Sequence, residues 1–119
     1  MYRIIRSEEL PPSANGTVRF EGDAYGSGVS VFLMHSQPGE GPDLHFHPYS
    51  ETWLVRAGTA RFSADGEEIE VGPGDILVAG PQTIHGFKNC GAEHVDIVCV
   101  HASPRIIQTW LNEADDEAE

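Results

Sequence analysis

The segment HFHPYSETWLVRAG holds His45, His47 and Glu51 at spacings of two and four, and His85 follows 34 positions after Glu51. Residues of these types do metal chemistry. Neutral imidazole nitrogens and a carboxylate oxygen are natural donors to a divalent transition ion. Buried without such a partner, each would carry a desolvation penalty of roughly several kcal/mol, largest for the carboxylate. Four protein donors on one side of an ion leave its other positions open to water, substrate or dioxygen. That arrangement suits catalysis better than a closed structural site does.

The four side chains must be carried to one place, and the surrounding sequence reads as strand. Side chains of like parity on a strand share a face. His45 and His47 therefore point together while Phe46 points away, and Glu51, Trp53 and Val55 share a face on the next segment. Pro48, Tyr49 and Ser50 form the connection between them. Segments rich in β-branched and aromatic residues predict strands over 17–21, 28–36, 43–47, 51–57, 59–64, 67–71, 75–79, 85–89 and 93–101. The punctuation comes from 13 glycines and 8 prolines. Asp65-Gly66 is a two-residue hairpin signal, and Pro73-Gly74 sets another corner. Many short strands separated by turns predict an all-β sandwich or barrel, not alternating βαβ units. No repeat or linker divides residues 1–119, so one domain is expected.

One helix is predicted after the last strand. Ser103 and Pro104 offer a cap and a first-turn residue. Ile106, Ile107, Trp110 and Leu111 then fall on one face by the i, i+3, i+4 rule. Trp110 is expected to pack against the barrel or a second subunit.

The charge balance excludes some partners. The formal net charge is −12, and five of the 19 acids (Glu113, Asp115, Asp116, Glu117 and Glu119) lie in the last seven residues. An acidic surface repels phosphate backbones, so neither nucleic acid nor an anionic membrane is expected as a partner. Residues from about 113 to 119 read as a solvated, disordered tail. The two cysteines, Cys90 and Cys99, read as free thiols of a reducing cytoplasm. No signal peptide is evident, and no apolar run approaches the roughly 20 residues needed to span a membrane.

The ligand spacing is similar to that of a known family. Gly39, His45, His47, Glu51 and Gly58 fit the first cupin motif at every fixed position. Gly74, His85 and Asn89 fall at the offsets of the second motif, with Gly80 where the family usually has proline and Gln82 where it usually has glycine. The sequence thus resembles the small single-domain cupins. That resemblance implies a double-stranded β-helix, or jelly-roll barrel, of two antiparallel sheets around an open-ended cavity, with the short C-terminal helix appended. It implies one divalent metal per chain (Mn, Fe, Ni, Cu or Zn) on His45, His47, Glu51 and His85. A ligating Glu51 resembles the oxalate-degrading enzymes and quercetinase more than the thiol dioxygenases.

Candidate pocket residues follow from parity with the ligands. Trp53 shares a face with Glu51, and Phe87 and Asn89 share one with His85. Phe32, Met34, Cys99 and His101 lie on strands that could cross the cavity, and Tyr49 stands at its mouth. No arginine or lysine clearly enters, which weighs against an oxalate-type dianion. His35 and His94 are expected at the surface. The reading is an oxygenase-type enzyme acting on a small organic molecule, with Glu51 shifting between ligand and proton acceptor, and a homodimer covering an exposed sheet edge. Two alternatives stay open: a non-catalytic sugar- or metabolite-binding module, and a metal-assisted isomerase or lyase.

Overall fold

In the computed structural model, which describes residues 1–112, all nine predicted strands form close to their expected limits. They are β1 Val18–Phe20, β2 Ser30–Ser36, β3 His45–Phe46, β4 Glu51–Ala57, β5 Ala60–Ala64, β6 Glu67–Val71, β7 Ile76–Ala79, β8 His85–Asn89 and β9 Val95–His101. A tenth, β10 Thr109–Trp110, was not expected. Short 3-10 turns occupy Ser7–Glu9 and Gly22–Tyr25. The expected acidic tail at 113–119 lies outside the described residues.

Two five-stranded antiparallel sheets face each other. One runs β1-β2-β9-β4-β7 and the other β10-β3-β8-β5-β6. The period-two pattern decides which side chains enter. Along β9, Val95, Ile97, Cys99 and His101 are buried while Asp96, Val98 and Val100 are less so. Along β4, Glu51, Trp53 and Val55 turn inward. Of these, Trp53, Val55, Val95, Ile97 and Cys99 meet Phe62, Val71 and Phe87 from the opposite sheet in an apolar core. That core fills one end of the barrel and leaves the other to polar groups.

Turn chemistry sets the registers. Asp65 and Gly66 both take positive φ, 52° and 79°, as a type I′ hairpin requires, and join β5 to β6. Gly58 sits at φ 80° where a Cβ would stand 2.4 Å from the His94 carbonyl oxygen, so only glycine fits the corner after β4. Gln82 has φ 66°, so it keeps the left-handed backbone for which the motif normally uses glycine.

The predicted helix is corrected over residues 104–110. The chain there forms no helix, and Thr109 and Trp110 pair with Phe46 and His45. Its backbone groups find tertiary partners instead of helical ones. The Asp23 amide donates to the Pro104 carbonyl (2.7 Å), the Ile106 amide to Glu21 Oε2 (2.8 Å) and the Leu111 amide to the Leu44 carbonyl (3.0 Å). Ile106, Ile107 and Thr109 are β-branched, which disfavours a helix in the absence of any i→i−4 gain.

Candidate metal centre

Two cross-strand pairs, one from each sheet, build the polar end of the barrel. His45 pairs with His85 between β3 and β8, and Glu51 pairs with His101 between β4 and β9. His47 follows β3 in a loop pinned by the Gln82 amide, which donates to the His47 carbonyl at 2.7 Å. All five side chains are buried, none more than 4% exposed. Donor atoms of His45, His47, Glu51 and His85 lie within 4.8 Å of one another, so the structure brings together the four expected ligands.

The hydrogen bonds behind the rings fix their polarity. His45 Nδ1 donates to the Asp43 carbonyl (2.7 Å), His47 Nδ1 to the Ile107 carbonyl (2.9 Å) and His85 Nδ1 to the Thr83 carbonyl (2.8 Å). A carbonyl only accepts, so each Nδ1 carries a proton, and each ring in its neutral form turns the lone pair of Nε2 inward. The Nε2 atoms of His47 and His85 lie 3.0 and 2.9 Å from the same oxygen, Glu51 Oε1. Acceptors thus converge on an acceptor, and the arrangement calls for a cation among them. The residues present fit a divalent metal.

Burial and close neighbours shift the titrating groups here. Burial, with His85 and His47 beside it, lowers His45 to about 4. Burial alone would raise Glu51, but the imidazoles of His101, His47 and His85 gathered around it outweigh that and hold the carboxyl well below its ordinary range. Burial, reinforced by the adjacent Glu51, pushes the Cys99 thiol well up, so it stays protonated.

A cavity of about 520 Å³ opens onto His45, Glu51 and His101. Of the expected pocket residues, Phe32, Met34, Trp53, Phe87, Cys99 and His101 line it. Trp53 packs edge-on against Phe62 (4.1 Å between centroids) and His85 (5.2 Å), and its buried Nε1 has no hydrogen-bond partner. Asn89 is placed elsewhere: its amide donates to the Ser36 and Glu93 carbonyls and its oxygen accepts from the Gly91 amide, which ties down a turn. Tyr49 lies behind the wall, its hydroxyl 2.7 Å from His101 Nδ1.

Among the wall residues that sequence reasoning missed, two are chemically distinctive. Trp110 lines the cavity with its ring 4.9 Å from that of His45, because β10 is a strand and not a helix. Arg19 reaches the mouth from β1, over the Phe32 ring and 3.7 Å from Glu21. Its position on an edge strand gave no local signal. On the outer face, His35 and His94 are exposed as expected, but both meet Asp96, at 2.6 and 3.4 Å.

Comparison with known proteins agrees with this architecture. The sequence is 34% identical over 87 residues to polyketide synthase CurC of Streptomyces cyaneus, covering 72% of this chain and 56% of that one. The chain spans from 25% to 56% of the length of the curated relatives it matches. A conserved double-stranded β-helix protein from Klebsiella pneumoniae superposes with a TM-score of 0.71 at 29% identity, covering 92% of this chain and 96% of that one. The oxalate decarboxylase of Lactobacillus farciminis superposes at 0.80 over 94% of this chain and 36% of its own, with 22% identity, a likeness of fold alone. Among the described residues, no helix is long and apolar enough to cross a membrane. Residues 32–101, more than half of the chain, match the cupin domain, and the protein belongs to the cupin family.

Proposed function

We propose that this cupin is a metal-dependent enzyme of the oxygenase type that acts on a small, largely apolar organic molecule. The observation that carries the metal is the inward polarity of His45, His47 and His85 around Glu51 Oε1. When bound, a redox-active divalent ion would supply polarisation of the substrate or activation of dioxygen. His45, His47, Glu51 and His85 would hold it, and the three backbone carbonyls behind the imidazoles would keep their lone pairs aimed.

The chain's own groups define what enters. Phe32, Met34, Trp53, Phe87 and Trp110 give the cavity apolar and aromatic walls, which exclude water and suit an aromatic or carbonyl-rich molecule. Arg19 is the cation at the mouth and is engaged with Glu21, so a small dianion held deep at the centre has no dedicated partner. Glu51, as catalytic residue, would serve as a ligand and, in its other role, accept a proton from the substrate on its carboxylate.

A second reading, metal-assisted isomerase or lyase chemistry, would use the same four-residue centre without dioxygen. Oxygen uptake separates the two. Protein loaded with iron or manganese is screened against aromatic and polycarbonyl compounds in an oxygen electrode, beside His45→Ala. Substrate-dependent uptake lost in the variant supports the oxygenase; turnover unchanged without air supports the second reading. Ligand binding that survives His45→Ala without turnover would instead indicate a binding module.

We also propose a cytoplasmic homodimer. Cys90 and Cys99 are free thiols, and Ile76 and Val78 on the edge strand β7 are 63% and 68% exposed. Light scattering that returned a monomer mass would overturn the dimer.

A further inference from the structure

His101 is the one buried imidazole at this end of the barrel whose polarity is reversed. The Ile107 amide donates to the Tyr49 hydroxyl oxygen at 3.1 Å, so the hydroxyl proton is free to point elsewhere. It points at His101 Nδ1, 2.7 Å away. An accepting Nδ1 leaves the proton of a neutral ring on Nε2. That nitrogen has no aligned hydrogen-bond partner, although Glu51 Oε2 stands 3.3 Å from it. The rings of His47 and His85 present lone pairs to Glu51 Oε1, whereas His101 presents an N–H to Oε2.

The ring has little freedom to do anything else. His101 and Glu51 are cross-strand partners, so the sheet fixes their backbones opposite each other. The His101 ring is wedged edge-on against Phe32 (5.2 Å), His47 (4.7 Å) and Tyr49 (5.4 Å). Resting on the metal-centre reading above, we propose that His101, with its tautomer set by Tyr49, is a positioning residue for Glu51. It would donate Nε2–H to Oε2, leaving Oε1 as the oxygen that faces the ligand imidazoles. Without that donor both oxygens would be free to chelate or to swing away, and the ligand would be less well preorganised.

Ile107 serves both sides of this arrangement. Its carbonyl orients the ligand His47 and its amide orients Tyr49, so one peptide sets opposite polarities in two neighbouring rings.

The test uses Co²⁺ on the full chain, because its visible spectrum reports ligand number and geometry. Wild type, His101→Ala, His101→Gln, Tyr49→Phe and His45→Ala are titrated, with thermal melts of each metal-free protein. The expected results are a roughly 10- to 100-fold weaker affinity and an altered spectrum in His101→Ala. His101→Gln, which keeps an N–H donor, is expected to recover most of both. Tyr49→Phe is expected to fall between. If His101→Ala does not fold, His101→Gln and Tyr49→Phe carry the comparison, and wild-type affinity and spectrum in Tyr49→Phe would then overturn the inference. Wild-type affinity and spectrum in a folded His101→Ala would overturn it while leaving the metal centre intact. Failure of the wild type itself to bind Co²⁺ would overturn the metal centre and this inference together.

Discussion

The carbonyl of Ile107 accepts the Nδ1 proton of His47 at 2.9 Å, across 60 positions of sequence. A ligand in the first half of the chain is thus oriented by a peptide near its end. Truncation after Arg105 would remove this acceptor, the Tyr49 donor and the Trp110 wall together. Most strand pairing lies before that point, so the barrel should persist. The expected outcome is a folded β protein whose metal affinity falls by at least 10-fold, the usual effect of losing an outer-shell partner. Circular dichroism and metal titration of the truncated chain check this; full affinity would show that the C-terminal segment is dispensable.

Acid should destabilise the metal-free protein in two overlapping steps. Burial lowers His45 from 6.5 to about 4, so between those values the unfolded chain binds a proton that the folded one refuses. Stability is full above about 6.5 and is lost as pH falls toward 4, by an amount on the order of 3 kcal/mol. Glu51, held below its ordinary range, extends the loss further into acid, because the unfolded carboxyl protonates first. Urea midpoints measured from pH 8 to pH 4 should fall monotonically. A flat profile across that range would contradict the buried, neutral His45.

At Gln82 the chain keeps a left-handed conformation without the residue best suited to it. The side chain is exposed, and the amide donates to the His47 carbonyl, a bond glycine preserves. Gln82→Gly removes the Cβ strain and adds some unfolded-state entropy, with a net gain of up to about 1 kcal/mol. Chemical denaturation checks it; a clear loss of stability would mean the Gln82 side chain contributes more than its exposure suggests.

Most of the barrel was legible because β-branched alternation and turn residues are local signals. Asp65-Gly66 formed the expected hairpin, and the spacing of His45, His47, Glu51 and His85 brought those residues together. What escaped were properties conferred by distant partners. Ile106 to Leu111 carries helical periodicity, yet β3 offers open backbone groups and takes Thr109 and Trp110 as a strand. Parity placed Asn89 with His85, but the neighbouring carbonyls of Ser36 and Glu93 claim its amide. The reversed tautomer of His101 depends on Tyr49, 52 positions away. Hydrogen-bond polarity of this kind is invisible until both ends are in place.

The central claim is that the three inward-facing imidazoles and Glu51 hold a divalent metal. Elemental analysis of protein purified without a chelator or a metal-affinity column tests it most directly, beside His45→Ala and His85→Ala. The account predicts near-stoichiometric transition metal in the wild type and little in either variant. Metal absent from the wild type even after reconstitution with Mn, Fe, Ni, Cu and Zn, or equal amounts in all three proteins, would contradict it.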